Sequence, residues 1–195
     1  MLPDNQLSNA AISGGFLVDA VIDMVDYERG GIALNDPSQG LNVQTWMAFY
    51  EGGAIKVKPL NGVASNVLTV AGVTELSLAF DQNMRPVVAY VAASAAYLYW
   101  YDASATAYVT TTLAVGVTNP RVSLDDARKS QVSSSDVILA YLRDGQLCMR
   151  VQRDRYTVEY VLASVLQSGA ILRQIGMSDG LRFQFLIESD AVSLQ

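Results

Sequence analysis

The chain has 195 residues, of which 51% are hydrophobic and 16% charged, with a formal net charge of −6, no histidine and one cysteine. A polypeptide of this length buries roughly two-thirds of its unfolded surface and folds without disulfides or metal, and a charge content below the roughly 25% of ordinary globular domains excludes disordered and fibrous classes. The absence of histidine excludes Ser-His-Asp and Cys-His catalysis and, with one cysteine, a structural zinc site; the negative charge argues against direct binding of duplex nucleic acid.

In chain order, the start MLPDNQLSNAAISGG lacks a basic region followed by an apolar one, so no secretory signal is expected. Residues 10–27 mix small residues with Asp19, Asp23 and Asp26 in neither a helical nor a strand period, so residues 1–30 are expected to form an N-terminal arm or edge segment. Residues 31–195 are expected to form a single β-rich domain of about three hairpin units. The first is TWMAFY (Thr45–Tyr50), turned by Glu51-Gly52-Gly53-Ala54 into Ile55–Lys58.

ELSLAF (Glu75–Phe80) reads as a strand leading into a turn over residues 81–86, in which Asp81 and Asn83 suit an Asx turn better than a calcium loop. VVAYV (Val87–Val91) and YLYWY (Tyr97–Tyr101) form the second hairpin, with residues 92–96 as a five-residue connection. Pro86–Tyr101 is an uncharged run of sixteen residues, shorter than the roughly 20 a bilayer-spanning helix needs, so no membrane span is expected.

Arg121–Leu124 reads as a further strand, and residues 123–129 carry a capping serine, early acids and late bases that suit one or two helical turns. VILAYL (Val137–Leu142), apolar on both faces, should be a central strand. It leads through Arg143-Asp144-Gly145-Gln146, where Asp-Gly suits a type I′ turn, into a strand with Leu147, Met149 and Val151 inward. Alternation predicts two more strands, with Tyr156, Val158, Tyr160 and Leu162 on one face of the first, and Leu181, Phe183, Phe185 and Ile187 on one face of the second.

Tyr50, Tyr90 and Tyr141 close the first strand of each hairpin at spacings of 40 and 51 residues, near the size of a propeller blade. Three or four strands per unit follow. Three blades cannot close a ring of at least four. The expected fold is therefore all-β and hairpin-rich: an open or partial propeller-like array, or a two-sheet β-sandwich.

Candidate chemistry is sparse. No glycine-rich phosphate cradle is present. None of the 14 aspartates and five glutamates is marked out as a catalytic pair, and Asp125-Asp126 suit a helix start rather than a metal. No catalytic, cofactor-binding or metal-binding residue is assigned, and no cofactor is expected. Cys148 reads as a small buried hydrophobe.

Two interaction features stand out. Tyr97, Tyr99 and Tyr101 line one strand face, able to stack sugars or bury a partner's loop, with packing between sheets as the plainer reading. Arg143, Arg150, Arg153 and Arg155 fall within thirteen residues and could meet a partner's carboxylates, with a solvated face beside Asp144, Asp154 and Glu159 as the plainer reading.

With DVILAYLRDGQLCMRVQRDRYTVEYVLA (Asp136–Ala163), RQIGMSDGLRFQF (Arg173–Phe185) and the Phe80–Tyr90 stretch, the chain resembles structural proteins of tailed bacteriophage virions. The resemblance implies a non-enzymatic tail or tail-adaptor component, assembled in the infected bacterial cytoplasm and located in the virion. Its partners would be other virion subunits, including copies of itself. High apolar content with low charge fits a surface partly covered by such partners. The alternative is a module of the tail that binds host-surface carbohydrate or a receptor through Tyr97–Tyr101.

Overall fold

The computed structural model describes residues 22–27, 44–59, 61–81, 83–125, 136–164, 168–177 and 183–189. Fourteen strands run through them, joined by turns, one 3-10 turn and short irregular segments, and no α-helix is present among the described residues. The first sheet is formed by β1 (Ile22–Tyr27), β2 (Gln44–Glu51), β3 (Ala54–Pro59) and β4 (Ser65–Thr69). The second contains β5 (Val73–Phe80), β6 (Pro86–Ala92), β7 (Ala95–Asp102) and β8 (Ala107–Thr112). The third contains β9 (Thr118–Leu124), β10 (Val137–Arg143), β11 (Gln146–Val151) and β12 (Tyr160–Ala163), and β13 (Ile171–Met177) pairs with β14 (Phe183–Glu188) in a fourth. Each sheet is an antiparallel meander whose strands neighbour one another in chain order.

Alternation along the central strands explains the stacking. On β10, Val137, Leu139 and Tyr141 enter an apolar layer shared with sheet 2, while Ala140 and Leu142 enter the layer shared with sheet 4. On β6, Val87 and Ala89 face sheet 3, and Val88, Tyr90 and Ala92 face sheet 1. A strand with a core on both sides must be apolar at every position, which is why VVAYVA and VILAYL lack polar residues. Sheets 2 and 3 are thus sandwiched between neighbours, and the four sheets pack in series, consistent with a partial propeller-like array or a β-sandwich.

The first strands β1, β5, β9 and β13 are neighbours along one margin. There Val122 N–H donates to the buried Ser77 Oγ (3.1 Å), and Arg121 bridges to Glu75 (3.3 Å) and donates from Nε to the Arg173 carbonyl (3.0 Å). These bonds tie β5, β9 and β13 through groups that a stacked sheet edge would otherwise leave unsatisfied.

The first and third hairpins match the sequence expectation. Gly52 and Gly53 (φ 60° and 76°) and Asp144 and Gly145 (φ 51° and 72°) supply the paired positive φ angles of two-residue turns. Asp81 Oδ1 accepts from the N–H groups of Asn83 (2.8 Å) and Arg85 (3.0 Å), the expected Asx turn. β1 is an edge strand of sheet 1, and residues 1–21 and 28–30 of the expected N-terminal segment lie outside the described residues.

Three expectations are corrected. The connection in the second hairpin has two residues rather than five: Ala93 and Ser94 take positive φ (49° and 62°), and Ala92 pairs with Ala95. Twist-matched pairing of the flanking strands overrides the poor fit of these residues to left-handed backbone. The strand expected from Tyr156 begins only at Tyr160, because a 3-10 turn over Gln152–Asp154 and left-handed Arg155 and Tyr156 (φ 52° and 56°) precede it. Ser123 and Leu124 end β9 instead of opening a helix, since Asp125 N–H continues to the Asp136 carbonyl (2.8 Å). Residues 126–129 of that expected helix, and Leu181, lie outside the described residues.

Candidate functional site

The four arginines singled out in the sequence all make contacts within the chain. Glu159 is the hub for two of them: Arg143 Nη2 reaches its Oε1 at 2.5 Å, and Arg150 Nη2 reaches its Oε2 at 3.4 Å. Tyr141, fully buried at the centre of sheet 3, donates its hydroxyl to the same carboxylate and accepts from Arg150 Nε (2.8 Å). Arg150 also donates to the Tyr156 carbonyl (3.0 Å), holding the left-handed turn in place.

Burial by itself would raise the Glu159 pKa, but the Tyr141 hydrogen bond and the two guanidinium groups outweigh it and hold the carboxyl below its ordinary range. Burial and the adjacent carboxylate push the Tyr141 phenol far up. Burial likewise raises the Cys148 thiol, as befits an inert core residue.

Arg153 pairs with Asp136, with Asp125 3.7 Å from its other end. Arg155 crosses between sheets to Asp102 at the end of β7. Desolvation opposes ionisation of Asp102, yet Arg155 and the N–H of Ser104 lower its pKa. The arginine cluster therefore braces sheet 3 and its junction with sheet 2. Glu159 neighbours the arginines in sequence, but its role as the shared acceptor depends on β10, β11 and the turn after β11 being folded together.

The tyrosine row has a different character. On β7, Ala96, Leu98 and Trp100 enter the core against sheet 3, and Tyr97, Tyr99 and Tyr101 occupy the opposite face, as alternation predicts. Tyr97 stacks on Tyr90 (5.1 Å), its cross-strand partner, and Tyr97 and Tyr99 pack on the core between sheets 1 and 2. Packing between sheets thus accounts for the inner end of the row.

Its outer end extends past that core. Tyr108 of β8 stacks parallel to Tyr99 (4.9 Å, 1°) and meets Tyr101 edge-on (5.3 Å), and Arg85 lies 3.8 Å over the Tyr101 ring. Burial raises the pKa of Tyr99 and of Tyr108. Arg85 and Tyr108 were not singled out in the sequence. Arg85 sits in a turn with no periodicity to mark its direction, and Tyr108 reaches the row only through the β7–β8 pairing that sets it opposite Tyr101.

Among the described residues no group of three or more His, Cys, Asp or Glu side chains could hold a metal ion, and no helix is long and apolar enough to cross a membrane. Comparison with family models, with curated proteins and with solved structures returns no match.

Proposed function

We propose that the chain is a non-enzymatic assembly subunit that joins neighbouring molecules through strand edges and apolar faces, as a tail or tail-adaptor component of a bacteriophage virion. The observation that carries the assembly reading is β12. This outermost strand of sheet 3 and the residues leading to it expose Val158 (44%), Tyr160 (41%), Val161 (52%) and Leu162 (42%) in one short run. β4 and β8 hold the matching outer positions of sheets 1 and 2 and read SNVLT and AYVTTT, where Ser65, Asn66, Thr69, Thr110 and Thr112 face solvent and Tyr108 is the one large apolar side chain exposed. An unpaired edge with exposed apolar side chains is a liability in a free monomer and a ready joint in an assembly.

The virion setting rests on the sequence resemblance, which the serial β architecture accommodates. Other virion subunits and copies of this chain are the partners, and assembly takes place in the host bacterial cytoplasm. The wild-type protein at micromolar concentration is expected to scatter light as multiples of 21.0 kDa, and Val161→Lys in β12 should shift it toward the single-chain mass with its β-sheet spectrum intact. A wild-type protein that stays monomeric throughout would overturn the assembly reading. Mass spectrometry of virions purified from infected cells should find the chain in stoichiometric amount, and its absence would remove the virion assignment.

A second reading, a module that binds host-surface carbohydrate, is favoured by one feature: the outer end of the tyrosine row, where Tyr101, Tyr108 and Arg85 lie beyond the core between sheets 1 and 2.

A further inference from the structure

The outer end of the tyrosine row is built from one turn and two strands. Arg85 leaves the Asx turn before β6, Tyr101 stands near the end of β7, and Tyr108 faces it from the start of β8. Tyr99 completes the group through its parallel stack on Tyr108.

The ring faces are largely spent on one another. Tyr99 and Tyr108 cover each other, and the guanidinium of Arg85 covers a face of Tyr101 at 3.8 Å. A neutral sugar, which is held chiefly by stacking its C–H face on an open ring, finds little platform here.

The polar groups are the ones left available. The Arg85 guanidinium donates no hydrogen bond and forms no ion pair to a described residue, although it is only half-exposed and lies over the Tyr101 ring. Every other arginine side chain placed among the described residues, Arg121, Arg143, Arg150, Arg153, Arg155 and Arg173, has a carboxylate partner. The hydroxyls of Tyr99, Tyr101 and Tyr108 make no hydrogen bond to a described residue either. Asp81 is close in sequence and buried; its Oδ1 accepts from the N–H groups of Asn83 and Arg85, and its charge acts on Tyr108 against that of Arg85.

A planar fork of N–H donors lying over a ring, on a cluster of phenols whose hydroxyls are free to donate, matches a carboxylate. We infer that Arg85, Tyr101 and Tyr108, with Tyr99 behind them, form a binding site for the carboxylate of an acidic sugar, a uronic or sialic acid unit of a surface glycan. This inference rests on the carbohydrate-binding reading and narrows it to acidic glycans. Exposed acids more than about 8 Å away, which make up most of the net charge of −6, are screened at physiological salt, and the nearer Asp81 has its Oδ1 engaged by two backbone N–H groups.

The test is calorimetric titration of the full chain with oligosaccharides ending in glucuronate or N-acetylneuraminate, against neutral ones of equal length and against inorganic phosphate. The acidic sugars should bind about tenfold or more tightly than the neutral ones. Arg85→Gln, and also Arg85→Lys, which keeps the charge without the fork, should remove that preference with the melting temperature little changed. Tyr101→Phe should keep the ring beneath Arg85 and weaken acidic-sugar binding several-fold. Neutral sugars binding as well as acidic ones, unaffected by Arg85→Gln, would overturn the carboxylate site and leave the carbohydrate reading standing. Phosphate binding as well as the acidic sugars would reduce the site to a general anion site and overturn the sugar assignment. Binding of no glycan at all would overturn both.

Discussion

Gly145 holds φ at 72° beside Asp144 at 51°, a backbone that a β-branched side chain resists. Gly145→Val should cost about 1–2 kcal/mol or more, read as a lowered melting temperature. The second hairpin offers the reverse experiment. Ser94 is left-handed (φ 62°) with no glycine to ease it, so Ser94→Gly should stabilise by about 1 kcal/mol. Glu159 supplies a pH test. Its folded-state pKa lies below the ordinary carboxyl value, so its contribution is complete above the unfolded-state pKa of roughly 4.3 and is lost as pH falls through the lower folded value. Melting temperature should therefore fall on acidification, and Glu159→Gln, less stable at neutral pH, should flatten the part of that dependence owed to this carboxylate. At this scale the Asp-Gly and Gly-Gly turns were legible, because their chemistry is local. The Ala93-Ser94 turn was not, since nothing in either residue asks for positive φ.

Among the elements, the segment after β11 shows how a correct period can give a wrong strand. Tyr156, Val158, Tyr160 and Leu162 alternate with polar residues, yet Tyr156 is buried while Val158, Tyr160 and Leu162 are exposed. The left-handed pair Arg155-Tyr156 reverses the chain and drives the Tyr156 ring edge-on against Trp100 (5.0 Å), with its hydroxyl donating to the Val137 carbonyl (3.2 Å). Tyr156→Phe should cost about 1 kcal/mol for the lost hydrogen bond, and Tyr156→Ala about 3–5 kcal/mol for the cavity as well, both measurable by denaturant unfolding. β14 makes the opposite point. Phe183, Phe185 and Ile187 are half-buried and Gln184, Leu186 and Glu188 exposed, as the alternation says, because a strand with one covered face obeys the two-residue period directly.

For the whole molecule, the decisive property is that sheets cover sheets in series. Sheet 2 buries both faces, while β12 of sheet 3 exposes apolar side chains at an outer position, so among the described residues a run of exposed apolar side chains lies where a neighbour can add a strand. The Val161→Lys variant is the corresponding prediction: a charge on an edge strand blocks strand addition while costing the fold little, so light scattering should separate assembly from folding. The near repeat of Tyr50, Tyr90 and Tyr141 now has a structural basis, since these residues lie on β2, β6 and β10, the second strand of each four-stranded sheet. The fourth strands β4 and β8 were missed because short, mostly polar outer strands lack the apolar alternation that marks a buried face.

Composition, alternation and turn chemistry by themselves determined that the chain is all-β, where its central strands and two of its hairpins lie, and that histidine-dependent catalysis is out of reach. These follow from period and φ preference, which act over a few residues. Only the tertiary structure decided that Arg143, Arg150, Arg153 and Arg155 are tied to carboxylates of their own chain while Arg85 meets none among the described residues. Pairing of a charge depends on which strands and sheets come together, and a guanidinium has no periodicity that records its partner in advance.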